Sequence, residues 1–218
     1  MLAEQVRAGR LPPVESRLPP DPVVVDPVRE IGRYGGTWRR MAIQPEDSLM
    51  ATRLGYEPLV RWDRTGRTVA PGVAERWEVS DQGRTYTFHL RPGMRWSDGE
   101  PFTSEAFTFW YEDVFGCRSM LPALAGQLAP DGNRFQLTAP DARTIVFRFD
   151  HPNGIFLELL AFRGHYIYAP KHYLKQFHVN HTAPDTLARL AKESGFHSWH
   201  ELFLAKYDLH ANPDLPTI

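Results

Sequence analysis

Apolar and polar residues alternate most strictly between residues 74 and 90. Trp77 and Val79 alternate with Arg76 and Glu78, and Tyr86, Phe88 and Leu90 alternate with Thr85, Thr87 and His89. A period of two sorts side chains onto opposite faces of a strand. Ser80-Asp81-Gln82-Gly83 supplies turn residues between the runs, which predicts a β-hairpin with one apolar face. A second hairpin follows the same rule. Phe135 and Leu137 run into Ala139-Pro140-Asp141-Ala142, and Ile145, Phe147 and Phe149 return. Between the hairpins the period changes: Phe107, Trp110, Tyr111 and Val114 stand at i, i+3, i+4 and i+7, one stripe of a helix. Thr103 is its expected N-cap, Glu105 favours its first turn, and Gly116 is its expected C-cap.

The flanks are less regular. Six prolines and a valine run in 11–28 predict an extended, partly polyproline-like arm packed along a surface. Residues 37–43 (TWRRMAI) read as a strand ended by Pro45, and 48–56 as a short helix or loop. Pro58 within 56–62 (YEPLVRW) points to an irregular or edge position. Pro92-Gly93, Asp98-Gly99 and Asn153-Gly154 are turns, the last followed by an apolar stretch to Leu160. The last third is helical. Pro170 suits a helix start before 171–176. Leu187, Leu190 and Ala191 form a stripe stopped by Gly195. Ser198 and Glu201 form a capping box ahead of Trp199, Leu202 and Phe203. Hairpins plus helices make a mixed α and β unit.

Composition narrows the class. A length of 218 residues corresponds to roughly one or two domains. Hydrophobic content of 42% with 23% charged residues is ordinary globular usage and excludes wholesale disorder. A net charge of −1 gives no broad basic field, which argues against a nucleic-acid partner. No apolar run approaches the ~18 residues that would span a membrane. Residues 1–10 have no apolar segment of a signal peptide, so such a signal was either removed or lies in a longer exported protein. Cys117 is the single cysteine, so no internal disulfide forms, and it reads as a loop residue rather than a catalytic thiol.

Candidate chemistry is sparse. His178 with His181, and His197 with His200, are each three apart, about one helical turn. The first pair lies near an expected helix end, the second within a capping turn, and no third ligand stands at an established spacing, so no metal site is expected. Asp98 and Glu100 resemble an acid/base pair but flank Gly99 and precede Pro101, which is turn chemistry. No Gly-x-Ser-x-Gly, Walker A or His-Glu-x-x-His string occurs, and no catalytic residue and no cofactor are expected.

Residues 56–115 carry an ordered series of motifs. An aromatic-Glu-x-Leu start (56–59) is followed by Pro-x-x-Ala-Glu-x-Trp (71–77), Asp-x-Gly (81–83), Tyr-Thr-Phe-x-Leu (86–90) and Trp-x-Asp-Gly-x-Pro-Phe-Thr (96–103). This series resembles the family 5 extracellular solute-binding proteins of the dipeptide, oligopeptide and nickel type. Weaker similarity extends over nearly the whole chain, through LPPVESRLPP, IGRYGGTWRR, FRFDHPNGIFLELLA and APKHYLKQFH. The resemblance implies a mixed α/β, type II periplasmic-binding-protein clamshell whose first lobe bears a small extra subdomain. A solute is held between the lobes, and a membrane permease driven by a separate ATPase receives the closed form. Such proteins work in the periplasm or at the cell surface.

Set against that family, 1–36 is the Pro-rich arm and 37–218 an incomplete first lobe with a hairpin-rich subdomain. Relatives continue past 212–216 into a second lobe and return to finish the first. The expectation is a chain without that lobe, and without the acidic group that holds a peptide's amino terminus in oligopeptide binders. The implied function is the binding component of an ABC importer, for oligopeptides first, with nickel, oligosaccharide or a non-binding remnant as alternatives. By family analogy the loop after the first strand faces the cleft: Ile43, Gln44, Pro45, Glu46, Asp47 and Ser48. Gln44 and Ser48 donate or accept hydrogen bonds, and Ile43 offers backbone groups. Trp77, Trp96 and Trp110 occupy pattern positions that read as core, leaving Trp38 and Trp62 open for contact with a solute.

Overall fold

The computed structural model describes residues 2–27, 29–33, 35–37, 39, 41, 57–116, 128, 132–163, 167–209 and 211–218. Two short helices, α1 (Leu2–Arg7) and α2 (Val14–Arg17), open the chain. α2 falls within 11–28, where the prolines predict an extended arm, so that stretch is helical for one turn before the backbone becomes extended at Leu18 (φ −88°, ψ 151°). The arm docks at 19–21: the Asp21 carbonyl accepts from Arg91 Nη1 at 2.7 Å, and Pro20 lies over Gly93. Beyond the docking point Val24 and Val25 are exposed. Thr37, Arg39 and Met41 belong to no strand, contrary to the pattern reading of 37–43, and the rest of that stretch lies outside the described residues.

A two-stranded ribbon follows, β1 (Val60–Trp62) antiparallel to β2 (Val69–Pro71). Leu59 and Val60 are fully buried, so the ribbon is anchored at one end. Gly72 permits the close return, because a Cβ there would lie 2.3 Å from the Pro58 carbonyl oxygen.

The two expected hairpins are both present. β3 (Ala74–Ser80) pairs with β4 (Thr85–Leu90), with Trp77 opposite Phe88 and Val79 opposite Tyr86. Asp81 and Gln82 turn at φ 55° and 56° and Gly83 at 82°, a left-handed turn that Asp and Gly tolerate.

A helix, α3 (Glu105–Phe109), then widens into a π-helical segment, Trp110–Phe115. Thr103 Oγ1 accepts from the Glu105 N–H at 3.4 Å, as a cap does. Ser104 lies nearer the helix, but its hydroxyl donates instead to the Asp141 carbonyl at 2.7 Å, tying α3 to the second hairpin. That hairpin is β5 (Phe135–Asp141) with β6 (Thr144–Phe149), bulged between Thr138 and Asp141.

β4 pairs with β6, Tyr86 opposite Phe147 and Phe88 opposite Ile145. The hairpins therefore merge into one antiparallel sheet of order β3-β4-β6-β5. Its apolar face carries Tyr86, Phe88, Leu90, Phe135, Leu137, Ile145, Phe147 and Phe149, all buried. Helix α4 (Phe156–Arg163) enters this face through Phe156, which meets Tyr86, Phe88, Phe147 and Phe149 at ring-centroid distances of 4.8–6.4 Å. α4 also packs on β1 and β2, so it joins the sheet to the ribbon.

The last third is helical, as the pattern predicts. α5 (Lys171–Leu174), preceded by Pro170, passes into a 3₁₀ turn at Lys175–Phe177. α6 (Pro184–Glu193) buries Leu187 and Ala191 and stops before Gly195 at φ 81°. α7 (Trp199–Tyr207) is capped by Ser198, whose hydroxyl accepts from the Glu201 N–H at 3.2 Å. Glu201 reaches back one residue further than a standard box, to the His197 N–H at 2.9 Å. The C-terminal segment lies against the turn at 96–99: the Ser97 N–H donates to the Thr217 carbonyl at 2.7 Å, and the Thr217 N–H to Ser97 Oγ at 3.1 Å.

Candidate functional site

Trp62 ends β1 with its ring 38% exposed. Three features hold it in place. β1 is in register with β2, Trp62 opposite Val69. Leu59 and Val60 sink into the core immediately before it. The Asp63 carboxylate then nucleates the turn that reverses the ribbon, accepting from the backbone N–H groups of Thr65 at 3.2 Å, Arg67 at 3.0 Å and Thr68 at 3.4 Å. Chiefly because of the Arg67 N–H, the Asp63 pKa is lowered to about 2. A half-exposed indole on a pinned strand offers one apolar face and one N–H donor, a combination that suits amphipathic solutes. The ribbon is tied to the helical third as well, because Tyr168 donates its hydroxyl proton to the Glu57 carbonyl at 2.6 Å.

The other expected contact residues, Ile43, Gln44, Pro45, Glu46, Asp47 and Ser48, lie outside the described residues, as do Trp38 and Cys117. The remaining tryptophan assignments are tested. Trp96 and Trp110 are buried, and Trp77 packs against the core partly covered. Asp98 and Glu100 form a turn, as their spacing implies: Asp98 Oδ1 accepts from the Glu100 N–H at 3.2 Å, and Gly99 has φ 93°. Asp98 Oδ2 in addition meets His172 Nε2 at 2.8 Å.

One polar constellation escapes local spacing. Asp113, in the π-helical segment, is 5% exposed, and the turn after α5 brings His178 and His181 onto its carboxylate. His181 Nε2 donates to Asp113 Oδ2 at 2.7 Å, Asn180 Nδ2 donates to Oδ1 at 2.7 Å, and His178 Nδ1 stands 3.5 Å from Oδ1. The Asn180 N–H points at His178 Nδ1 from 3.3 Å, which marks that nitrogen as the lone-pair side of the ring. Burial holds the His178 pKa below its ordinary value, against the pull of the Asp113 charge. One donor atom from each of the three residues lies within 4.8 Å of the others. This is the third donor that the His178/His181 spacing lacks, and it comes from a helix 65 residues earlier in the chain. The pair His197/His200 acquires no such partner set among the described residues.

A helix-backed antiparallel sheet with an anchored ribbon beside it is the architecture of one part of a type II periplasmic binding protein. The whole chain is similar to 34% of the solved oligopeptide-binding protein OppA, with 40% identity and a TM-score of 0.86. Residues 68–197 match the bacterial extracellular solute-binding proteins, family 5 Middle, and the chain belongs to that family. Among curated relatives, di/tripeptide-binding protein 1 of Pseudomonas aeruginosa is 47% identical over 119 residues, covering 49% of this chain and 22% of that protein. The periplasmic alpha-galactoside-binding protein of Rhizobium meliloti is 29% identical over 196 residues, covering 79% of this chain and 28% of that protein. The chain thus spans about a quarter of the length of these curated relatives.

Proposed function

We propose that this chain belongs to the substrate-binding component of an ABC importer for oligopeptides, acting in the periplasm or at the cell surface and delivering its solute to a membrane permease. The observation that carries this reading is the similarity to an oligopeptide-binding protein along the whole chain, at 40% identity. The similarity to a di/tripeptide-binding protein adds to it. Peptide recognition of this kind needs main-chain hydrogen bonds for affinity and roomy, wet pockets for side-chain tolerance. Trp62 on its pinned ribbon supplies one wall of such a pocket, and family analogy assigns Ile43, through its backbone, and Gln44, Glu46, Asp47 and Ser48 to contact with the solute.

A second reading, oligosaccharide binding, is favoured by the alpha-galactoside-binding relative and by the exposed indole face, since sugar rings stack on tryptophan. Calorimetric titration of the protein with a defined pool of short peptides, and separately with alpha-galactosides, separates the two. Peptide heats that fall at least tenfold in affinity in Trp62→Ala support the first reading. Saturation by galactosides alone supports the second. Absence of heat with both sinks solute binding at this surface.

A further inference from the structure

The Asp113 cluster has an electrostatic problem that its hydrogen bonds do not solve. A carboxylate buried this deeply needs a compensating charge. Among the described residues its ion-pair partners are His178 and His181, and both are cationic only when protonated. His178 is 2% exposed. With the Asn180 N–H aimed at Nδ1, the Nδ1 lone pair and a lone pair of Asp113 Oδ1 face each other across 3.5 Å. In the opposite tautomer, the Asn180 N–H would meet another N–H. Either way His178 Nε2 has no hydrogen-bond partner, enclosed by the rings of Trp199 and Phe203 at centroid distances of 5.2 and 5.1 Å. His178 Nδ1 and Asp113 Oδ1 therefore turn lone pairs toward each other, and His181 Nε2, which carries the proton of its hydrogen bond to Oδ2, would become a third electron-pair donor on releasing it.

We propose that Asp113, His178 and His181 form a binding site for one divalent transition-metal ion, zinc first, that ties the π-helical segment of α3 to the turn after α5. Three observations favour it. Two imidazoles and one carboxylate are a donor set that zinc and its neighbours accept. Tetrahedral zinc with bonds of about 2.0–2.1 Å has ligand–ligand edges of about 3.4 Å, which the 3.5 Å separation of His178 Nδ1 and Asp113 Oδ1 already meets. Bringing all three donors from within 4.8 Å to those edges takes side-chain shifts of about 1 Å. Asp113 also stands where α3 departs from α-helical geometry, and π-bulges recur at functional sites because they re-aim a side chain without ending the helix. Asn180 Nδ2 would remain on Asp113 Oδ1 and orient it, as outer-shell partners of ligands do. His181, with its side chain 28% exposed, is the side from which the ion arrives and where water completes the coordination. This ion is a structural staple and does not depend on the identity of the transported solute.

The test is titration of the chelator-treated full chain with Zn²⁺ and with Co²⁺ as its optical surrogate. The expected result is one ion per chain, a visible Co²⁺ d–d band, and a higher thermal midpoint. His181→Ala should abolish the Co²⁺ band and weaken zinc at least tenfold, while His197→Ala leaves both unchanged. Ring-nitrogen NMR of the unaltered protein keeps the test independent of mutant folding: zinc should shift His178 Nδ1 and His181 Nε2 together. No heat, no band and no shift would overturn the proposal, as would zinc binding retained in His181→Ala at unchanged affinity.

Discussion

Phe156 is the residue through which α4, the helix that also packs on the ribbon carrying Trp62, meets the sheet, so its removal measures how firmly helix and sheet are joined. The ring is fully buried and meets four others, from Phe149 at 4.8 Å to Phe88 at 6.4 Å. Burying a Phe side chain is worth about 2–3 kcal/mol. If the site collapses partially and leaves about 70 Å³ empty, a further ~1.7 kcal/mol is lost at about 24 cal/mol per Å³. Phe156→Ala should therefore cost about 4 kcal/mol, within the usual range of about 3–5 kcal/mol for such a truncation. Phe156→Leu keeps most of the volume and loses mainly the edge-to-face contacts, about 1.5 kcal/mol. Urea unfolding of the full chain, followed by near-UV circular dichroism, reads both values from the midpoint at constant slope. Val24→Ala, at a position 82% exposed, is the control and should change stability by less than about 0.5 kcal/mol. A cost below about 1.5 kcal/mol for Phe156→Ala would mean that α4 does not bear on the sheet face as described.

Three further outcomes follow from single interactions. Tyr86 donates its hydroxyl proton to the Asn153 carbonyl at 2.5 Å in a buried setting, so Tyr86→Phe should cost about 1–3 kcal/mol by orphaning that carbonyl, and an unchanged urea midpoint would remove the bond from the account. Gly93 combines φ 77° with a position where a Cβ would lie 2.7 Å from Pro20 Cδ. Gly93→Ala should therefore release the arm, seen as faster proteolysis within 19–27, and a cleavage rate equal to the parent's would contradict the docking. The Asp63 carboxyl, whose folded pKa is lowered from 3.8 to about 2, adds stability that is complete above 3.8 and lost as pH falls through about 2. Carboxyl-carbon NMR should place its midpoint near 2, and a midpoint at 3.8 would mean the 63–68 turn does not form in solution.

Both hairpins were legible because alternation is a local signal: Tyr86, Phe88 and Leu90 need only their own strand to declare a face. Their fusion was not. The β4–β6 pairing joins residues about 60 positions apart, and nothing within either hairpin favours that edge over β3 or β5. The arm shows the same division. Its prolines announce extension, and after the single turn of α2 the backbone at Leu18 is extended. What holds it at 19–21 is a long-range contact from Arg91 and the bare surface of Gly93. α2 hides among the prolines because a single turn, Val14–Arg17, is too short to show periodicity.

The Asp113 cluster shows why spacing alone misjudges a site. His178 and His181 sit on a turn, where three residues of separation does not imply a shared helix face. The stripe through Phe107, Trp110, Tyr111 and Val114 accounts for one buried face of the helix and says nothing of Asp113. Phe109 lies on the histidine side as well, its ring centroid 5.6 Å from that of His181, so α3 is buried on two faces and Asp113 belongs to the second. A buried acid on a helix otherwise flanked by aromatic residues is the signal that was available. It becomes interpretable only once the fold supplies its partners, because an isolated charge in such a position is unfavourable and demands a cation, a proton or a dense set of donors. Here the two fixed donors are Asn180 and His181, and the third neighbour, His178, presents a lone pair. That mismatch, more than the number of histidines, is what separates a metal-ready cluster from an ordinary buried ion pair.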